Sequence, residues 1–361
     1  MLRGFGVDLV VDQVAEGLAA RGHQVTVYAS VSDSSFRAEG YELKLIPTPA
    51  STCFPRYDLS AQRHLNFLNS EANDVYLVQT FPYFSCLPRL RAPGIAVEYG
   101  VSSTEGFPAK LRANFAYVRM TQRHVYFRFA RRITSISRFL KEGLPRRLQQ
   151  KTQVIHLGGE HYRRLTTPET PAQARSLRES LGVTGDEVLL LYVGRLASAD
   201  QPYKGTAELV ELYRRLRASE PSLRLLMVGF GGPREQAWLE GEGVLVLANA
   251  PAGQMPAIFS ACDIYITCSH WEGFDLPLVE AQSFGKPVVA FDIGAHAEVA
   301  AAGRSGYLVK TADEMGDAVL RLAQDQAQRA GMGQAAAEHA AGFSWARTVA
   351  AYESLIQEVI G

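Results

Sequence analysis

The chain has few cysteines, no long apolar run and no excess of charge, and each absence narrows the classes of protein to consider. Its 361 residues include four cysteines and no Cys-x-x-Cys pair, which favours reduced thiols in a cytosolic protein over a disulfide framework. No run of eighteen apolar residues occurs and no leader-like segment opens the sequence, so we expect neither a membrane-spanning helix nor a signal peptide. A hydrophobic content of 47% and a charged content of 20% are typical of a globular protein long enough for two domains.

Motifs for metals and for dinucleotides are also missing. There is no Asp-x-Asp motif, and His156 and His161 share a segment without cysteines or suitably spaced acidic residues, so we predict no metal site. The turn Gly4-Phe5-Gly6 begins like a dinucleotide fingerprint, but Leu9 stands where its third glycine belongs. An oxidoreductase is therefore a poor alternative, and we predict no cofactor.

Strand-like and helix-like segments alternate along the whole chain, which indicates parallel α/β domains. The strand candidates are short runs rich in Val, Ile and Leu, as in strands covered on both faces. They are residues 24–29, 42–46, 75–79, 95–98, 133–136, 153–156, 188–193, 223–228, 244–247, 264–267 and 288–290. A polar stretch begins at Gly158, and we predict one domain over 1–165 and a second over 166–344.

The first predicted helix, Asp8 to Arg21, follows the glycine turn directly. A doubly wound domain normally places a central strand before that turn. We therefore expect either that the chain is truncated or numbered from an internal methionine, or that the sheet closes in another way.

The stretch from His270 to Ala281, His-Trp-Glu-Gly-Phe-Asp-Leu-Pro-Leu-Val-Glu-Ala, is the most informative in the chain. Glu272 lies on a loop that enters a predicted helix, and Glu280 lies about two turns later, inside the helix. Asp275 is suited to be the N-cap of that helix. Free N–H groups and the positive end of the helix dipole make this a site for a diphosphate, flanked by carboxylates that can bind sugar hydroxyls.

Together with Gly285-Lys-Pro-Val-Val-Ala290, this segment resembles the Glu-x7-Glu signature of the retaining glycosyltransferases of family 4, which have the GT-B fold. The resemblance implies two Rossmann-like, doubly wound parallel-sheet domains that face each other across a cleft. The first would bind the acceptor and the second a nucleotide sugar, with helix 345–361 packed back on the first. One departure is Asp275, because the family often has glycine at that position.

A second motif supplies positive charge. A predicted strand ends at Gly194, Arg195 follows it, and Tyr203-Lys204-Gly205 opens the next helix. The pair resembles the Gly-Arg…Lys-Gly residues that grip the donor diphosphate in the same family, although here 197–202 are inserted. Two cations aimed at a departing nucleoside diphosphate stabilise the transition state most. The resemblance thus implies Arg195, Lys204 and Glu272 as catalytic residues, without a metal.

The resemblance assigns further roles in the donor and acceptor sites. Glu272 would bind hydroxyls of the donor sugar and Glu280 the hydroxyls of the ribose. The other donor-side residues are Gly4 and Gly6 in the N-terminal turn, Gly194, Asn249 near the base, Gly273, Phe274, Asp275 and Leu276 at the distal phosphate, and Glu298. Helix capping is the alternative for Glu298. Glu98 and Tyr99 stand near the place of a histidine often found in the family, and we assign them to the acceptor side.

The net charge of zero conceals a basic first half. Between Gly106 and Lys141 there are nine Lys or Arg residues, interleaved with aromatics, and no acidic residue. One interpretation of residues 110–141 is a surface for anionic lipid headgroups or for a phosphorylated acceptor. The other is an ordinary helix whose aromatics pack inward while its arginines extend to water. Nucleic acid is a poorer partner, because no recognition motif accompanies the basic segment.

The resemblance implies a retaining, metal-independent hexosyltransferase that uses a UDP- or GDP-sugar and a hydroxyl acceptor, which we expect to be lipid-linked or phosphorylated. Its expected role is glycolipid, polysaccharide or cell-envelope glycan synthesis, in the cytoplasm or at the inner face of a membrane. The alternative is a protein that binds nucleotide sugars without transferring them, but the presence of Arg195, Lys204, Glu272 and Glu280 argues against it.

Overall fold

The structure is a computed structural model that describes residues 6–32, 36–47, 60–197 and 201–361. The chain divides into two compact units. The first unit contains the described residues up to Thr104, together with Pro108–Leu157 and Trp345–Gly361, and the second contains Glu105–Phe107 and Gly158–Ser344.

Twelve strands lie within the described residues, and every pairing between them is parallel. They are β1 Thr26–Ala29, β2 Glu42–Leu45, β3 Tyr76–Val78, β4 Gly94–Glu98, β5 Arg132–Ser135, β6 Thr152–Val154, β7 Val188–Val193, β8 Leu223–Gly229, β9 Leu245–Ala248, β10 Ile264–Thr267, β11 Val288–Phe291 and β12 Gly306–Val309. Eleven of them coincide with the strand candidates of the sequence analysis. The twelfth, β12, is a strand that the sequence analysis missed.

Fifteen α-helices connect these strands in the same described residues. They are α1 Gly6–Ala19, α2 Leu65–Ser70, α3 Ala109–Met120, α4 Arg138–Glu142, α5 Arg146–Gln149, α6 His161–Arg164, α7 Thr170–Ser180, α8 Thr206–Ser219, α9 Pro233–Gly241, α10 Met255–Ala261, α11 Leu276–Ser283, α12 His296–Val299, α13 Ala312–Gln324, α14 Gln326–Ala340 and α15 Trp345–Ile360. A π-helix, Thr121–Tyr126, continues α3 directly. Where the described residues are concerned, no helix combines the length and the apolarity needed to cross a bilayer.

The strands of the first unit form two sheets. One has the order β3-β4-β5-β6, and the other is the pair β1-β2. Polar side chains attach the β1-β2 pair to the residue that follows α2, since Lys44 on β2 lies 2.6 Å from Glu71 and the Tyr28 hydroxyl on β1 donates to the same carboxylate. We expected a strand before the glycine turn Gly4-Phe5-Gly6. Most of that turn lies in residues 1–5, outside the described residues.

Helix α15 belongs to the first unit, where it packs on α1. Trp345, Val349 and Tyr352 on α15 are buried. At the edge of this contact Glu353 pairs with Arg21 at 2.7 Å and with His23 at 2.9 Å. Apolar burial and a small charged rim therefore fix the last helix on the first.

The sheet of the second unit has the order β12-β11-β10-β7-β8-β9. Its first strand in sequence, β7, pairs with β8 on one side and with β10 on the other. The chain thus proceeds outward from β7 in one direction and then starts again from β10 in the other. In open parallel sheets such a reversal leaves a crevice at the carboxyl ends of the two central strands, where ligands bind.

The predicted boundary at residue 165 differs from the observed division, because Gly158–Leu165 pack with the second unit. His161 on α6 is buried against Glu280 of α11, which draws this segment to the second sheet. The backbone N–H of Gly159 donates to the Phe343 carbonyl at 3.0 Å. The segments where the chain enters and leaves the second unit are therefore neighbours.

Gly229 ends β8 beside the carboxyl end of β7. Its φ is +151°, and a Cβ at this position would overlap the carbonyl oxygen of Gly194. We expect Gly229→Ala to destabilise the protein by about 2 kcal/mol, because both the backbone conformation and the close approach require glycine. Thermal unfolding of the two proteins measures the change.

Gly241→Ala is the matched control, because a Cβ at that helical position meets no atom within 4 Å. We expect it to be neutral or slightly stabilising, since alanine is the better helix former. An unchanged midpoint for Gly229→Ala would contradict the close approach of β7 and β8.

Candidate active site

The candidate site lies where β7 and β10 end, at the point where the strand order reverses. Leu190 and Leu191 on β7 pair with Ile264 and Tyr265 on β10, so both strands end at the same edge of the sheet. Arg195 follows β7 after Gly194, and the segment from Glu272 to Asp275 connects β10 to α11. The two motifs found in the sequence therefore meet at one edge.

Lys204 and Glu272 form a buried ion pair in this site. The Lys204 Nζ lies 2.6 Å from Glu272 Oε1, and the two side chains are only 19% and 8% exposed. Burial opposes the charge on Lys204, but the carboxylates of Glu272 and Asp275 outweigh it and raise the pKa of the ammonium. Lys204 therefore stays charged across the physiological range. Burial also raises the pKa of Glu272, and the positive charge of Lys204 acts against this rise.

Arg195 follows β7 at the carboxyl edge of the sheet. Its guanidinium is 5.6 Å from the centre of the Phe230 ring, and Lys204 Nζ is 5.7 Å from the centre of the Tyr203 ring. Burial raises the pKa of the Tyr203 hydroxyl, and the charges of Lys204 and Arg195 both act against this. Tyr203 thus lies within electrostatic range of both cations.

Asp275 is the N-cap of α11, as the sequence analysis predicted. Its backbone has φ +67° and ψ +73°, and its carboxylate accepts from the Leu278 N–H. The preceding Phe274 packs its buried ring edge-on against Phe343, with ring centres 5.9 Å apart. Gly273 is buried and Leu276 is partly exposed. The loop that should meet the distal phosphate is therefore held by a cap on one side and by aromatic packing on the other.

His296 is a partner of Asp275 that the sequence analysis quoted but gave no role. Its Nε2 lies 3.0 Å from Asp275 Oδ2, and its Nδ1 lies 2.6 Å from the Phe291 carbonyl oxygen. Burial opposes charge on both groups, but their pairing lowers the pKa of Asp275 and raises the pKa of His296. The sequence did contain one signal for this contact. Asp275 places a carboxylate where the family often has glycine, and such a carboxylate needs a basic partner when it is buried.

Glu280 also has a histidine partner. His161 Nε2 lies 3.1 Å from Glu280 Oε1, and both side chains are more than nine-tenths buried. The sequence analysis considered His161 only as a metal ligand. Nothing local in the sequence connects α6 with α11, so this contact was not predictable from motif spacing.

The other predicted donor-side residues occupy varied positions. Asn249 follows β9 with φ +57°, and its side-chain amide donates to the Gly231 carbonyl at 3.0 Å. Glu298 lies on α12 and is partly buried. Gly6 is the first residue of α1 in the first unit, and Gly4 lies outside the described residues. Across the described parts of the chain, no three His, Cys, Asp or Glu side chains are close enough to hold a metal ion.

Glu98 and Tyr99, predicted on the acceptor side, end β4 in the first unit. Glu98 is completely buried, and its carboxylate accepts from the Gly100 N–H, Gln122 Nε2 and the Arg123 guanidinium. Its carboxylate therefore joins the end of β4 to the π-helix Thr121–Tyr126. The Tyr99 hydroxyl donates to Gln79 Oε1 at 2.7 Å.

Comparison with known families covers both units. Residues 6–160 match the family described as Glycosyltransferase Family 4, and residues 173–339 match Glycosyl transferases group 1. D-inositol 3-phosphate glycosyltransferase of Stackebrandtia nassauensis is 34% identical over 209 residues, which cover 52% of this chain and 46% of that protein. The protein of the same name from Corynebacterium glutamicum is 33% identical over 204 residues, 52% of this chain and 47% of that one. The chain spans about half the length of the curated relatives it matches.

Solved structures resemble the chain over nearly its whole length. Sucrose-phosphate synthase from Thermosynechococcus elongatus has a TM-score of 0.81 at 19% identity, covering 98% of this chain and 93% of that one. Anabaena HepE in complex with UDP and glucose has a TM-score of 0.76 at 19% identity, covering 99% and 98%. WaaG, a glycosyltransferase involved in lipopolysaccharide biosynthesis, has a TM-score of 0.72 at 18% identity, covering 99% and 96%. The chain therefore belongs to glycosyltransferase family 4 and has the GT-B fold.

Proposed function

We propose that the protein is a retaining, metal-independent glycosyltransferase that moves a hexosyl group from a nucleoside diphosphate sugar to a hydroxyl acceptor. The observation that carries the proposal is the buried Lys204–Glu272 pair, at the edge where Arg195 and the N-terminus of α11 also lie. Two partly buried cations beside the positive end of a helix dipole are suited to a diphosphate. Carboxylates at the same edge are suited to sugar hydroxyls.

The chemistry follows from the charge that develops during transfer. When the bond between the sugar and the diphosphate breaks, negative charge grows on the nucleoside diphosphate. Arg195, Lys204 and the positive N-terminal end of α11 stabilise this charge more in the transition state than in the ground state. The acceptor hydroxyl then attacks the anomeric carbon on the face from which the diphosphate departs and gives its proton to the leaving phosphate. The anomeric configuration is thereby retained.

Two carboxylates take the sugar parts of the donor in this proposal. Glu272, already oriented by Lys204, accepts hydrogen bonds from hydroxyls of the transferred sugar. Glu280, which lies beside His161, accepts from the ribose hydroxyls. Both acids are held before the donor arrives, which reduces the cost of ordering them during catalysis.

The substrates are proposed by analogy with the relatives. HepE has been solved with UDP and with UDP-glucose, so a UDP-sugar is our first choice of donor and a GDP-sugar the second. The curated relatives are named for inositol 3-phosphate, which is a phosphorylated polyol. A phosphorylated or lipid-linked hydroxyl compound is therefore the proposed acceptor, in glycolipid, polysaccharide or cell-envelope glycan synthesis.

Loss of either cation tests the diphosphate assignment. We expect Arg195→Ala and Lys204→Ala each to lower kcat by about 10²–10³-fold, because each removes one contact to the charge on the leaving group. Steady-state rates of UDP release measure the effect. Arg214→Ala is the matched control, since Arg214 is 57% exposed and pairs on the surface with Glu211. Near-normal turnover of both site variants would refute the assignment.

Chelation tests metal independence. We expect full turnover in excess EDTA, because Arg195, Lys204 and α11 supply the stabilisation that a divalent ion gives in other enzymes. Initial rates with EDTA, and then with added Mg²⁺ or Mn²⁺, provide the measurement. Abolition of activity by EDTA and its recovery on adding the metal would overturn this part of the proposal.

We also propose that the basic segment 110–141 of the first unit contacts an anionic membrane surface at its cytoplasmic face. Helix α3 has no buried residue, and Leu111 and Met120 are exposed apolar side chains on it. Exposed basic residues, including Lys110, Arg112, Arg119 and Arg128, share this surface. The inward-packing interpretation holds for Phe127, which is completely buried, but not for Phe129, which is exposed.

Vesicle sedimentation tests the membrane proposal. We expect binding to vesicles that contain phosphatidylglycerol, weakening as salt rises, because charges at a surface are screened. Arg112→Ala with Arg128→Ala should weaken binding by roughly thirtyfold, at about 1 kcal/mol for each cation near the surface. Arg214→Ala with Arg217→Ala removes two exposed cations from the second unit and is the control. Absence of binding at low salt would exclude the membrane contact.

A further inference from the structure

Asp275 is an unexpected residue beside a site for an anion. Its φ of +67° lies in the left-handed region, where glycine is favoured and aspartate is tolerated. The side chain is almost completely buried, so water does not screen its charge. A buried carboxylate next to a bound diphosphate would weaken binding unless another charge offsets it.

The geometry of His296 supplies that charge. Both ring nitrogens face oxygen atoms at hydrogen-bond distance, the Phe291 carbonyl at 2.6 Å and the Asp275 carboxylate at 3.0 Å. A carbonyl oxygen can only accept, and an ionised carboxylate can only accept, so both nitrogens must carry a proton. The ring is completely buried. Asp275 and His296 therefore form an enclosed pair of a carboxylate and an imidazolium.

The turn that carries His296 also holds the backbone of Glu272. The Ala295 N–H donates to the Glu272 carbonyl at 3.1 Å. Gly294, with φ +55°, packs so closely that a Cβ would overlap the same carbonyl oxygen. The turn thus braces both acidic residues of the loop, Glu272 through its main chain and Asp275 through its side chain.

We propose that His296 is a positioning residue of the donor site. Its imidazolium fixes the left-handed cap of α11 and offsets the carboxylate that this chain places beside the diphosphate. The inference rests on the proposed function in one respect, that a nucleoside diphosphate binds at the N-terminus of α11. The pair of Asp275 and His296 is a second buried charge pair in the site, and it allows an aspartate to lie beside an anionic ligand.

A pH dependence follows from the pair. The ionisable groups whose charges act on His296 are Asp275 and Glu272, and Lys204 faces both carboxylates. Burial works against the imidazolium, but Asp275 outweighs it and raises the pKa of His296 above its ordinary value. Below that pKa the ring is charged and Asp275 is offset. As the pH rises through it, the charge is lost and the affinity for the diphosphate falls.

Titration calorimetry with UDP, and in parallel with GDP, tests the inference in four proteins. They are the wild type, His296→Ala, Asp275→Gly, and the double variant. We expect His296→Ala to raise the Kd about tenfold or more, since it leaves a buried carboxylate unpaired beside the ligand. Asp275→Gly suits the left-handed backbone and removes the carboxylate, so it supplies the background, whatever its own Kd, in which His296 has no negative charge to offset. In that background His296→Ala should change the Kd less than about twofold, because no carboxylate remains to be offset.

The same four proteins are titrated from pH 6 to pH 9. We expect the wild type to lose affinity as the pH rises and the Asp275→Gly variant to lose much less. Equal losses from His296→Ala in both backgrounds, or an unchanged pH profile in Asp275→Gly, would overturn the inference and leave His296 a merely structural residue. If His296→Ala does not fold, restored folding of the double variant supports the inference and its continued failure refutes it. Failure of the wild type to bind either nucleotide would instead overturn the proposed function.

Discussion

The ion pair between Lys204 and Glu272 is the interaction on which the candidate site depends. A charge at the carboxyl edge of the second sheet is largely shielded from water and must be paired within the protein. The same rule applies to each acid near the donor. Asp275 is hydrogen-bonded to His296, and Glu280 Oε1 lies 3.1 Å from His161 Nε2. Each of the three buried carboxylates thus faces a nitrogen-bearing side chain, and the three side chains come from different parts of the chain.

Much of this arrangement is readable from the sequence because it depends on local patterns. The strands of the second unit are short apolar runs, and the loop–helix motif around Glu272 carries its own cap. The reversal of strand order between β7 and β10 then brings Arg195 and Glu272 to one edge. Strand β12, Gly306-Tyr-Leu-Val, escaped notice because it begins with glycine, at φ +158°, and lies at the edge of the sheet. Short edge strands carry little periodic signal.

The partners of these acidic residues could not be predicted from the sequence, because they come from distant parts of the chain. His161 lies on α6 and Glu280 on α11, and no spacing rule joins them. Glu98 is a further example. It is the last residue of β4, and two residues of the π-helix more than twenty positions later, Gln122 and Arg123, bind its carboxylate.

The adjacency of Gly159 and Phe343 has a consequence for how the protein is made. Apart from Glu105–Phe107, the second unit is one uninterrupted segment, Gly158–Ser344, whose ends are joined by a hydrogen bond. The first unit is split and includes Trp345–Gly361. As the ribosome extends the chain, the later unit has all of its main segment before the earlier one has its final helix. The first unit therefore receives α15 only after the main segment of the second unit has been made. Until then, the surface of α1 that α15 will cover is accessible to chaperones.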